Sequence, residues 1–400
     1  MTGTHPPRRR AAVALRLALL VAATIAPLSA QRRPDPTALV GTRTWEWIDA
    51  TRTMPGAEGT TLPRRVMVQA WYPAADSGRA GRAPRLPEWR RLREVVSPQT
   101  LTHLAAPTAS HLDAPARTAT DAPIGVVLLS HGLWQRRTDY LLTAEALAAR
   151  GFIVVGVDHP GGASVIAWQD GSRTAIDPAW DTMSPPNQTA ERYQAFTEAQ
   201  LAHWATDLQL VMTRWREIPG LGDIDPATLR WGALGHSNGG KAVALLCERE
   251  PAVHACANLD GWPVPASVEV RGLAQPYLHM EDLRDASEAE FEAWGSSLIE
   301  YTRNMDRLQD RRTAFLRAMR GPAYHLLLPG IRHASFTDWP ALDAAYLPEG
   351  ARRPPREALA EIATYLDAFF REHLLDTPQP LLHPTAEFTS YDRGRWLTPK

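Results

Sequence analysis

Gly235-His236-Ser237-Asn238-Gly239 sets a serine between two glycines, after an apolar run, Leu229 to Leu234, and before a helix-compatible run, Lys241 to Glu248. A strand that turns sharply into a helix forces such a serine toward positive φ and lifts its Oγ off the sheet. Side chains two positions before and after it would collide unless very small, and Gly235, Gly239 and Gly240 supply the space. The chemistry implied is acyl transfer with Ser237 as the nucleophile.

Such chemistry needs two backbone N–H groups aimed at the developing oxyanion: one from the residue after the nucleophile, one from the loop after an earlier strand. Asn238 is the first candidate. The run Ile124 to Leu129 reads as a buried parallel strand and ends in Ser130-His131-Gly132-Leu133, where Leu133 is the second candidate. The general base should come late in the chain. His279 and His325 lie inside apolar runs and His373 falls in the last turn of a helix, whereas His333 follows a strand and a Pro329-Gly330 break, so His333 is the expected base. Two places compete for the acid that orients it: Asp260, directly after the strand Ala255 to Leu259, and the pair Glu281 and Asp282, after Tyr277 to Met280. Composition alone does not choose between them.

Several blocks, in order, resemble the plasma-type platelet-activating factor acetylhydrolases and their bacterial and dienelactone-hydrolase-like relatives in the α/β-hydrolase superfamily. They are Ser130-His131-Gly132-Leu133, Gly151 to His159, Gly235 to Gly240, Leu259-Asp260-Gly261-Trp262 and Arg332 to Asp338, within a span from about Val66 to about Trp339. The resemblance implies Asp260 as the acid and His333 as the base, and so a serine carboxylic-ester hydrolase working through an acyl-enzyme on short-acyl or phospholipid esters. The chain departs from the family at Asn238, where an aromatic residue is more common, and in a longer stretch between Asp260 and His333. Both bear on substrate preference, and a polyester hydrolase or a lactonase would share the same elbow. A non-catalytic binding module is the reading from a different class; such modules tend to lose a triad residue, and all three are present here.

Those residues need a parallel sheet to position them. The expected fold is α/β, an α/β-hydrolase with a mostly parallel central sheet flanked by helices and with helical cap insertions. One catalytic domain is expected over residues 31–376, with insertions near 161–205 and 286–319, then a C-terminal extension over 377–400. Arg65 to Tyr72 alternates like an early strand, a helix is expected around Glu88 to Val96, and Arg356 to Leu375 carries apolar residues at helical spacing. An apolar stripe in the second insertion, Phe291, Trp294, Leu298, Tyr301, Met305 and Leu308, either packs on the core or seeks a lipid surface.

Arg8-Arg9-Arg10, the apolar run to Pro27 and the small residues Leu28-Ser29-Ala30 read as a signal peptide over residues 1–30, and so as export to the periplasm or medium. Export permits a disulfide between the two cysteines, Cys247 and Cys256, although two buried thiols fit equally well. No C-x-x-C or H-E-x-x-H spacing occurs, so neither a catalytic metal nor a cofactor is expected. The net charge of -1 and the lack of a basic stripe beyond the N-terminus argue against nucleic acid. The expected partner is a small-molecule or lipid ester, with transient membrane contact as an extension; the sequence does not set the oligomeric state.

Overall fold

Runs of branched apolar residues build the sheet, because a strand covered on both faces can carry an apolar side chain at every position. The computed structural model describes residues 38–56, 60–79, 81–117, 123–183, 187–283 and 298–383. The expected signal peptide, most of the apolar stripe and the end of the C-terminal extension lie outside these residues or their described side chains.

In chain order the elements are β1 (Val40–Pro55), β2 (Thr61–Pro73), β3 (Arg82–Pro84), α1 (Pro98–Ala105), β4 (Pro107–Leu112), β5 (Ile124–Ser130), α2 (Leu141–Ala149), β6 (Ile153–Asp158), β7 (Val165–Ala167), β8 (Arg173–Ala175), α3 (Ala179–Met183) and α4 (Ala190–Thr213). There follow β9 (Leu229–His236), α5 (Asn238–Arg249), β10 (Val253–Leu259), α6 (Ala266–Arg271), β11 (Tyr277–Leu283), α7 (Leu298–Ala318), β12 (Ala323–Pro329), α8 (Trp339–Leu342) and α9 (Pro355–Leu374). Ten strands form one sheet in the order β12, β11, β10, β9, β5, β6, β2, β1, β4, β3. From β6 to β12 every neighbouring pair in that order is parallel, while β2 is antiparallel to both β6 and β1. The parallel strands thus end at one edge, where loops can converge.

Alternation divides the core between the two faces. Val126, Leu128, Val155 and Val157 pack on one side with Leu201, Trp204, Leu208 and Val243 of α4 and α5. Val127, Leu129 and Val154 pack on the other with Leu147 of α2 and Ile362, Leu366, Phe369 and Phe370 of α9. Trp168, Trp180 and Trp204, from the expected first insertion, are all buried. Among the described residues no helix is long and apolar enough to cross a membrane.

The expected helix around Glu88 to Val96 is only a short 3-10 turn at Trp89–Leu92, and the α-helix starts later, at Pro98. Ser97 caps it, its Oγ accepting from the Thr100 N–H at 3.1 Å, and Pro98 presets the first turn. Glu88 is tied down instead by Arg137, whose Nη2 lies 3.0 and 2.9 Å from the two carboxylate oxygens. Cys247 and Cys256, left open between two states by the sequence, are joined as a disulfide between α5 and β10.

Candidate active site

Register brings the predicted residues to one edge of the sheet. β9 lies between β5 and β10, with Ser130 opposite Gly235 and Leu259 opposite His236. The residues that follow each strand, His131, Ser237 and Asp260, therefore leave the sheet side by side. Ser237 donates its N–H to the Leu259 carbonyl at 2.9 Å, and Asp260 donates to Met280 of β11 at 2.7 Å.

Ser237 sits at φ 55 and ψ −124, in the positive-φ region that a side chain occupies only when its surroundings impose it. The tightness of the turn explains its glycines. A Cβ on Gly235 would strike the carbonyl of Gly239, and one on Gly239 would strike the carbonyls of Ser130 and His131. The helix that starts at Asn238 leaves that residue's N–H without an acceptor inside the helix. Leu133 follows β5, and its N–H has no backbone acceptor among the described residues.

His333 opens a 3-10 turn, His333–Phe336, just after β12. The turn is closed by reciprocal bonds: Arg332 donates its N–H to Ser335 Oγ at 3.0 Å, and Ser335 donates its own to the Arg332 carbonyl at 2.7 Å. This presents the imidazole half-exposed, with Nδ1 2.5 Å from Oδ2 of Asp260, whose side chain is 7% exposed. The ring rests on His236 at 4.5 Å between centroids. His236 is fully buried, and burial, with His333 beside it, holds its pKa well below the ordinary histidine value. It is a neutral wall. Of the two rival acids, Glu281 faces elsewhere, lying 2.8 Å from His325 Nε2 and paired with Arg312.

The Ser130 to Leu133 turn, the expected oxyanion loop, has supports that sequence reasoning missed. Tyr140 Oη accepts the Gly132 N–H at 3.0 Å and lies 2.7 Å from His236 Nδ1. His131 Nε2 accepts the His159 N–H at 3.0 Å, which leaves Nδ1–H to donate to the Gly132 carbonyl at 2.6 Å. Burial pushes the His131 pKa down to about 3, so this tautomer stays neutral. Behind it, His159 bridges Ser130 Oγ at 2.9 Å and Asp207 Oδ2 at 3.0 Å. Burial would raise the Asp207 pKa, but the Arg64 guanidinium, which grips both oxygens, holds it below the usual carboxylate range.

Ser130, His159 and Asp207 thus reproduce a serine, histidine and carboxylate line, yet all three are fully buried. They hold the loop and are closed to substrate. Ser130 and His159 lie in blocks that were visible in sequence; Asp207 lies on α4, just past the expected insertion over 161–205.

A cavity of about 660 Å³ adjoins the loop, with Trp134, Gln135, Arg136, Arg173, Trp339 and Tyr346 in its walls. Trp134 directly follows Leu133 and is half-exposed at positive φ.

A family model described as platelet-activating factor acetylhydrolase, isoform II, matches residues 65–224, which include the Ser130 to Leu133 turn and stop short of Ser237. No curated protein matches the chain. Among solved structures, a ferulic acid esterase from Streptomyces cinnamoneus superposes with a TM-score of 0.68 at 24% identity, covering 92% of this chain and 98% of that one. By fold the chain is an α/β-hydrolase, and over residues 65–224 it resembles the platelet-activating factor acetylhydrolases.

Proposed function

We propose that the chain is a serine carboxylic-ester hydrolase acting through Ser237, His333 and Asp260. The observation that carries this reading is the 2.5 Å contact between His333 Nδ1 and Asp260, beside a serine held at positive φ. His333 takes the Ser237 proton as Oγ attacks the ester carbonyl, and Asp260 fixes the imidazole tautomer and stabilises the imidazolium. The Leu133 and Asn238 amides stabilise the tetrahedral oxyanion, each contributing about 3 kcal/mol to the lowered barrier. His333 gives that proton to the leaving alkoxide, which departs as the alcohol and leaves an acyl-enzyme; water, deprotonated by the freed His333, then hydrolyses it, and the proton returns to Ser237 Oγ.

The match to the acetylhydrolase family supports a carboxylic ester hydrolase, with short-acyl and phospholipid esters as its substrates. One observation favours a second substrate class. The aromatic residues Trp134, Trp339 and Tyr346 in the cavity beside the oxyanion loop suit an aryl group on the ester, and the structural neighbour is named a ferulic acid esterase. Export, with cleavage before Gln31, is proposed on the N-terminal sequence, as is transient contact with a lipid surface.

Turnover of p-nitrophenyl acetate, butyrate and octanoate, an sn-2 acetyl phospholipid and an aryl-acyl methyl ester tests the proposal. Preference for the acetyl substrates supports the acetylhydrolase reading, and preference for the aryl-acyl ester supports the second. A folded protein that turns over none of them contradicts both.

A further inference from the structure

Two strands beyond the elbow, β11 and β12 pair in parallel with His279 opposite His325. Strand alternation puts Glu281 on the same face as His279. The result is two imidazoles and a carboxylate whose ligand atoms all lie within 4.8 Å of one another. His325 Nε2 is 2.8 Å and His279 Nε2 3.7 Å from the same oxygen, Glu281 Oε2.

Hydrogen bonding alone accounts poorly for this group. His279 is 2% exposed, yet among the described residues neither of its ring nitrogens has a hydrogen-bond partner, Nε2 standing 3.7 Å from Glu281, and Nδ1 of the buried His325 has none either. Buried polar groups of this kind are normally satisfied, because an unmet one forfeits its hydration with nothing in return. Arg312 faces three carboxylates, Asp260, Glu281 and Asp282, and Lys241 also faces Asp260.

We propose that His279, Glu281 and His325 bind a divalent transition metal ion of the zinc class, as a structural ion joining β11 to β12. Two imidazoles and a carboxylate are a donor set this ion accepts. Ligand atoms in a tetrahedral zinc shell stand about 3.4 Å apart, and the observed separations bracket that value. Arg312 does not compete for the ion. It takes the other carboxylate oxygen, the arrangement in which a ligating carboxylate is itself held by a hydrogen bond. The ion would take no part in acyl transfer, but it would steady β11, whose Met280 carbonyl accepts the Asp260 N–H.

The test uses the full chain, stripped with EDTA and dialysed. Zn²⁺ is titrated against a chromophoric chelator, thermal unfolding is followed with and without Zn²⁺, and Co²⁺ serves as a spectroscopic probe. The expected result is one tight equivalent per chain, a rise in Tm of several degrees and tetrahedral Co²⁺ bands. His279→Gln and, separately, His325→Gln should abolish that equivalent and the Tm shift while the far-UV circular dichroism stays native. Should either variant fail to fold, Glu281→Gln and the Co²⁺ spectrum of the unaltered chain decide the matter. No tight equivalent, no tetrahedral spectrum, or the same stoichiometry in a folded His279→Gln would overturn the proposal.

Discussion

His333 and Asp260 are 73 residues apart in the chain, and their side chains meet at 2.5 Å, through Nδ1 and Oδ2. With Nδ1 committed to the carboxylate, Nε2 is the nitrogen free to exchange a proton with a nucleophile. An amide in place of the carboxylate keeps the shape but favours the wrong tautomer. Asp260→Asn should therefore lower kcat by on the order of 10³–10⁴ with a small change in KM. Glu281→Gln, which alters the rival acid, should keep kcat within about tenfold of the unaltered enzyme. Steady-state kinetics on p-nitrophenyl acetate check both, and the reverse ranking would move the acid to β11.

Asp207 is fully buried behind the Ser130 to Leu133 turn, and in the proposed mechanism it acts through that turn and not on substrate. Asp207→Asn leaves Arg64 and Arg52, both ion-paired to it, facing a neutral amide, and should destabilise the fold by about 3 kcal/mol in urea unfolding. A loosened His159 lets the Ser130 to Leu133 turn drift, so kcat should fall about tenfold with KM little changed, well short of the full loss of an oxyanion donor. Asp207→Glu should recover part of the kcat, which a purely structural role would not require.

Asp338 gives the fold a pH dependence. Its buried carboxyl is pushed up to about 6 from 3.8, chiefly by burial, with Arg85 and the Leu142 N–H opposing the shift and the Asp139 carboxyl adding to it. Because the folded pKa is the higher one, the contribution to stability is full below about pH 4 and is lost as the pH rises through about 6. It amounts to no more than about 3 kcal/mol. Asp338→Asn should flatten the stability profile between pH 4 and 6 in denaturant melts; an unchanged profile would place the titration elsewhere.

The elbow was legible in sequence because its glycines and flanking periodicity are local. So were β5, β6 and β9 to β12, whose apolar runs carry the signal by themselves, and α9, whose apolar face repeats at helical spacing. The helix expected around Glu88 failed because a buried pairing with Arg137, far along the chain, overrode local propensity. Asp260 could be preferred to Glu281 only through resemblance, since in sequence both read as following a strand; β11 in fact runs on through Glu281 to Leu283, and the two side chains point to different partners. The cluster of His279, Glu281 and His325 was hidden for a related reason. It depends on the register of β11 against β12, and each histidine alone looks like an ordinary strand residue. Tyr140 and Asp207 carry no motif and are found only from their partners in space.

The account stands on Ser237 as the nucleophile, and a fluorophosphonate probe with peptide mapping by mass spectrometry tests that most directly. The prediction is one adduct per chain, located on Ser237, and with Ser237→Ala the loss of labelling together with nearly all turnover of p-nitrophenyl acetate. An adduct on another residue, or full turnover by a folded Ser237→Ala, would contradict it.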